Sequence, residues 1–199
     1  MNAPLITTRP QARTARLVGE PGVWLFVAGD MLLFGLFFTV YAYHYVQNAE
    51  AFQQAASRLS LSLGLLNTLL LLTSSRFLAA AVHSARDGHG PSARRCLRAA
   101  VTCGLGFVAV KAVEWSGRVL HGDTPMTNDF FMFYYMFTGI HLMHVLAGLC
   151  LLCFMLRVAR RPVFDSGDIR AMEVGGIIWH LVDLLWIVLF SLFYLFGAP

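Results

Sequence analysis

Residues 175–197 read GGIIWHLVDLLWIVLFSLFYLFG, an apolar run of 23 residues that carries His180 and Asp183 in its first half. A hydrocarbon core of about 30 Å is crossed by roughly 20 helical residues, so this stretch is long enough to span a bilayer. Working outward, the chain holds five such runs, at about 22–46, 60–83, 97–120, 129–157 and 172–197. The 199 residues are 57% hydrophobic, above the roughly 45–50% of a soluble domain. The expectation is an all-α, polytopic membrane protein, a bundle of five transmembrane helices forming one domain from residue 1 to 199, with 1–20 as a tail. Short connections predict that consecutive spans pack antiparallel.

The net charge of +4 does not describe a nucleic-acid surface, because the basic residues sit in clusters between the spans. Arg9, Arg13 and Arg16 precede the first span; Arg86, Arg94, Arg95 and Arg98 lie between the second and third; Arg157, Arg160, Arg161 and Arg170 lie between the fourth and fifth. Only Arg58 and Arg118 flank the other side. Cytoplasmic loops carry the excess of Lys and Arg, which predicts a cytoplasmic N-terminus and a C-terminus on the outer side of the membrane, the periplasmic side if the membrane is the bacterial inner membrane that the resemblance given below implies. The acid-free segment 1–19 also resembles a transit peptide, but Pro4 and Pro10 interrupt any amphipathic helix there.

Cys103, Cys150 and Cys153 lie within spans and Cys96 at an edge. The CLLC at 150–153 has thiol-motif spacing, yet an apolar helix is a poor place to form a thiolate. These cysteines read as packing residues.

Polar residues inside the spans carry the functional question. They are Asp30, Asn67, Lys111, Glu114, His141, His144, Glu173, His180 and Asp183. A charge at helix centre costs about 2.5–3.5 kcal/mol on insertion scales, so four unpaired ones would cost on the order of 10 kcal/mol. Helical spacing supplies partners: Lys111 with Glu114, His141 with His144 and His180 with Asp183 are each three apart and share a face. Glu173 lies seven residues before His180 and extends the stripe on the last span. Asn67 offers an amide for an interhelical link, a common device in membranes. Gly104 and Gly106 allow close helix approach, and Asn128 or Asp129 can cap the fourth span.

Each group has a structural and a functional reading. Lys111 with Glu114 is an ion pair or a proton relay; Asp30 is a packed carboxyl or a proton-active group. The histidines are hydrogen-bonding residues or metal ligands. A membrane di-iron site needs several histidine boxes, and HLMH at 141–144 is a single one. A bis-imidazole haem held by His141 and His180 is the remaining cofactor reading. No glycine-elbow serine or phosphate loop is present, and no complete catalytic constellation forms.

The order of these motifs resembles subunit III of the haem-copper oxidases. Phe26, Asp30 and the GLFF run stand on the first span; Leu66, Asn67 and Thr68 on the second; Glu114 and Trp115 on the third. TGIHLMHV follows on the fourth, then WHLVDLLW with Trp179, His180, Asp183 and Trp186, preceded by Glu173. Within the family, the segments around Asp30, Asn67 and His141 look most like the nitric-oxide-reductase-associated, NorE-type branch. Two features depart from the oxidase pattern. Five spans correspond to a short form without two extra N-terminal helices, so the family's V-shaped lipid cleft between helix groups does not carry over directly, and Asp30 stands where the oxidase branch has glutamate.

The resemblance implies an accessory subunit with no catalytic, cofactor or metal residues of its own. Its partners would be membrane lipid, including a bound phospholipid, and a haem-bearing catalytic subunit, either of nitric oxide reductase in denitrification or of a cytochrome c or quinol oxidase in respiratory electron transport. A rival from another class is a small proton-coupled transporter loading protons on Asp30 and Glu114.

Overall fold

The computed structural model describes residues 21–161 and 164–195. The N-terminal tail with Arg9, Arg13 and Arg16, the end of the last predicted span and the C-terminus lie outside the described residues. Six α-helices follow in order: α1 (Pro21–Gln47), α2 (Ala49–Ala56), α3 (Leu61–Arg86), α4 (Gly90–Leu120), α5 (Asp129–Val158) and α6 (Ser166–Phe190). A π-helical turn, Ser191–Leu195, continues α6. Five of these helices are long and apolar enough to cross a membrane, and the protein is a multi-pass membrane bundle.

Local chemistry sets the helix ends. Gly88 and Gly122 adopt φ of 75° and 82°, the left-handed conformation that glycine takes without steric cost. At the first, His89 N–H donates to Ser84 O at 2.8 Å and Gly88 N–H to Ala85 O at 3.1 Å; at the second, Asp123 N–H donates to Arg118 O at 3.0 Å. Both are Schellman closures that satisfy the last carbonyls of α3 and α4. Asn128 caps α5 by accepting from Phe131 N–H at 2.9 Å. Asp165 and Asp168 form a reciprocal capping box on α6.

Two spans start earlier than their apolar runs. α4 begins at Gly90, with Pro91 in its first turn, rather than at 97, and α6 begins at Ser166 rather than 172. Capping and a pre-set proline φ extend a helix past its oily part, so hydropathy alone underestimates its length. The 47–59 connection, expected as a loop, contains α2. An isolated eight-residue helix is marginal in water; this one is held by Phe52, which is buried in edge-to-face contact with Tyr41, Tyr45 and Phe130.

α3, α4, α5 and α6 close into a ring: α3 packs on α4, α4 on α5, α5 on α6, and α6 back on α3. α1 stands outside it. The first span does not pack on the second, as short connections predicted; Phe34, Phe37, Phe38 and Tyr41 instead seat it on His144, Phe133 and Phe137 of α5 and on Phe193. The α2 excursion carries the chain across the end of the bundle before α3 starts, which frees α1 from its successor. The opposite face of α1 exposes Leu25, Leu32, Leu36 and Val46.

Candidate functional site

At the centre of the four-helix ring, Lys111 Nζ donates to Glu114 Oε2 at 2.8 Å, and both side chains are 1% exposed. The ammonium also donates to Tyr194 OH at 3.0 Å and, more weakly, to Tyr134 OH at 3.4 Å. Tyr194 OH in turn donates to Glu114 Oε1 at 2.5 Å. The ammonium lies 4.8 Å from the Trp186 ring centroid, a cation–π contact strengthened by desolvation. One positive and one negative charge thus cancel within a closed loop drawn from α4, α5 and the π turn. In that turn i→i+5 hydrogen bonding replaces the α register, and Tyr194 lies inward against Glu114.

Next to this cluster, the fully buried His141 ring lies 5.3 Å from Trp186 and 5.7 Å from Phe107 between ring centroids. Neither of its nitrogens has a hydrogen-bond partner, and the same holds for both amide atoms of Asn67. The expected interhelical link by Asn67 is therefore corrected. Thr68 makes it instead, accepting from Trp186 Nε1 at 3.0 Å. Adjacent residues on a helix point about 100° apart, so only one of the two can face Trp186. His141 and His144 also part company: His141 faces the ring interior, whereas His144 faces α1.

His144 completes a second pair. Its Nε2 lies 3.2 Å from Asp30 Oδ1, and its Nδ1 lies 2.9 Å from Ile140 O. A carbonyl only accepts, so Nδ1 carries a proton. Asp30 is buried with no second partner at Oδ2. Beside the pair, a cleft of about 480 Å³ opens between the first turns of α1 and helices α5 and α6, lined by Val23, Phe26, His144, Leu151, Ile178 and Leu181.

The third group is on the α3–α6 seam. His180 Nδ1 meets Ser75 Oγ at 2.5 Å and stands 3.8 Å from Asp183 Oδ2. The i,i+3 pairing of His180 with Asp183 is thus present at ion-pair distance, but the hydrogen-bond partner of His180 comes from the second span, and its side chain is 51% exposed on the outside of the ring. Residues three apart differ by about 60° around a helix; here Asp183 turns inward while His180 lies at the seam's outer edge. His141 inside and His180 outside do not face a common axial position. Glu173 leaves the expected stripe for Arg86 of α3, at 2.7 Å, because the long guanidinium stem reaches across the seam.

The family model for cytochrome c oxidase subunit III matches residues 17–198. The chain belongs to the cytochrome c oxidase subunit III family. Among curated relatives, subunit 3 of the cytochrome bo(3) ubiquinol oxidase of Pseudomonas aeruginosa is 29% identical over 178 residues, covering 89% of this chain and 84% of its own length. Cytochrome c oxidase subunit 3 of Bacillus sp. (strain PS3) is 28% identical over 189 residues, covering 93% of this chain and 90% of its own. The probable cytochrome c oxidase subunit 3 of Mycobacterium leprae is 27% identical over 191 residues, covering 95% and 93%. In this chain the motif tryptophans have distinct seats. Trp186 caps the central cluster, and Trp115 lies tilted against Tyr135 with 5.5 Å between ring centroids. Trp179 fills the α5–α6 seam, where a Cβ on Gly148 would lie 2.7 Å from its ring.

Sequence reading missed several polar contributors to the bundle. Tyr134, Tyr194 and Ser75 carry no distinguishing signal because hydroxyls are common in apolar spans; Thr68 stands out only beside Asn67 in the family motif, and Arg86 reads only as an orientation charge. Gly106 was overvalued: a Cβ there would sit 3.5 Å from Leu70, an ordinary contact, whereas one on Gly104 would sit 2.8 Å from Leu149. Cys150 and Cys153 are exposed on α5 rather than packed. Arg76 was also missed, although a lone arginine inside an otherwise apolar run was the available signal; it is exposed on α3.

Proposed function

We propose that this protein is a non-catalytic accessory subunit of a haem-copper oxidase superfamily complex, seated beside the haem-bearing catalytic subunit in the bacterial inner membrane. The observation that carries this reading is the closed Lys111–Glu114–Tyr194 loop. Its ionisable groups are committed to one another, and it ties α4 to the end of α6 as a packing lock does. Among the described residues no three His, Cys, Asp or Glu side chains gather where they could hold one metal ion; in this reading the redox centre is the partner's. The names of the curated relatives, subunits 3 of cytochrome c and quinol oxidases, support the same assignment.

Within the superfamily, the NorE-like segments around Asp30, Asn67 and His141 favour service to nitric oxide reductase over a cytochrome c or quinol oxidase. The arginines at the end bearing the α3–α4 and α5–α6 connections favour a cytoplasmic position for that end, with the N-terminus cytoplasmic and the C-terminus periplasmic. The apolar cleft beside His144 suits a phospholipid acyl chain. The proton-coupled transporter reading requires Glu114 to exchange protons freely, and its bonds to Lys111 and Tyr194 oppose that.

Affinity purification of the tagged chain from its native membrane is the test. The expected result is a haem-bearing membrane subunit in the eluate, and a deletion strain whose nitric oxide consumption falls while oxygen consumption holds. A fall in oxygen consumption alone would reassign the chain to an oxidase. A partner-free protein whose deletion changes neither rate would end the proposal.

A further inference from the structure

Polar side chains stand on the outside of the bundle at the height of the bilayer centre. α3 runs from Leu61 to Arg86, so at 1.5 Å per residue Arg76 lies about 4 Å along the axis from the helix midpoint. His180 sits at the middle of the span Ser166–Leu195. Arg76 is exposed, as is Thr73 three residues earlier on the same face. The two helices are joined at this height, since Ser75, the neighbour of Arg76, bonds His180.

Arg76 has no hydrogen-bond or ion-pair partner among the described residues. Half of a hydrocarbon core of about 30 Å, less that offset, leaves roughly 11 Å between it and the nearer interface, beyond what an arginine stem can snorkel. Lipid tails offer such a group nothing. The α1 side, by contrast, is largely apolar, with Leu25, Leu32 and Leu36 exposed, and suits lipid well. Around Arg76 and His180 the exposed neighbours are Leu69 and Leu72 on α3 and Leu184 and Ile187 on α6, an apolar rim around a polar centre.

Resting on the accessory-subunit reading, we infer that the α3–α6 face is the surface that docks the haem-bearing subunit, with Arg76 meeting a carboxylate of that subunit in mid-membrane and the outward imidazole of His180 meeting a hydrogen-bonding group beside it. A second copy of this chain does not fit. The acids near mid-height, Asp30 and Asp183, are both buried, and two copies related by a two-fold axis would oppose arginine to arginine. Lipid phosphate does not fit either, because it lies at the interface.

The test places p-benzoylphenylalanine at Leu72, Leu184 or Leu32 in cells making the intact complex. Irradiation should link Leu72 and Leu184, but not Leu32, to the haem-bearing subunit. Arg76→Leu should lower copurified haem at least about tenfold, as loss of a buried interfacial charge pair does, without lowering the melting temperature of the chain itself. Arg76→Lys should retain most of the haem. Links from Leu32 and none from Leu72 or Leu184 would overturn this docking face yet leave the accessory role standing. Links only to a second copy, with no haem subunit captured from any position, would overturn both. Full haem retention by Arg76→Leu would remove Arg76 from the interface.

Discussion

Replacing Glu114 by Leu would strand the Lys111 ammonium, which is 1% exposed and donates to that carboxylate at 2.8 Å. Breaking a buried pair by removing one member costs about 3–5 kcal/mol, because the remaining charge is uncompensated. Lys111→Met should cost a similar amount by stranding the carboxylate, less whatever its bond from Tyr194 returns. The double variant Lys111→Met/Glu114→Leu removes both desolvated charges and fills the space with apolar atoms. Tyr194 OH then loses its acceptor but keeps Tyr134 OH within 3.4 Å, so the double variant should cost no more than about 2 kcal/mol. The expected outcome is strong non-additivity, with the double variant more stable than either single one. Equilibrium unfolding in mixed detergent micelles, followed by far-ultraviolet circular dichroism, measures each corner of the cycle. Additive costs, with the double variant the least stable of the three, would refute the packing-lock account and return the pair to the relay reading.

Other substitutions separate groups that bond from groups that merely look polar. Thr68→Val should destabilise the bundle by about 1–3 kcal/mol by leaving Trp186 Nε1 unbonded, whereas Asn67→Leu, one residue earlier, should be neutral or stabilising, since the Asn67 amide has no partner; paired unfolding curves decide. Ser75→Ala should cost about 1 kcal/mol through the lost bond to His180. Asp183→Leu should raise the melting temperature or leave it alone, because both carboxyl oxygens are buried without hydrogen bonds; a clear fall in melting temperature would contradict that, and would restore the expectation drawn from helical spacing. Gly148→Ala should cost about 1–3 kcal/mol by overpacking Trp179, while Gly106→Ala should melt like the parent.

Legibility in the sequence followed the range of each interaction. The Lys111–Glu114 pair could be read because its members are three apart on one helix. Asp30 had no visible partner, since His144 is distant in the chain and reaches it only because α1 leans on α5. Helix ends built by capping, at Asp165 and Asn128, were partly readable from residue type. α2 was not, because eight residues of mixed polarity become helical only when Phe52 finds its aromatic pocket.

Five spans were fixed by sequence alone, because crossing a bilayer depends on one linear quantity, the length of an apolar run against the thickness of the hydrocarbon. The ring of four helices, the outlying α1, and the division of polar groups into inward and outward ones were decided only by the tertiary structure. An isolated helix presents the same stripe whichever neighbour it meets; its rotation about its own axis, set by contacts such as Trp179 on Gly148, determines that Asp183 is enclosed and His180 faces out.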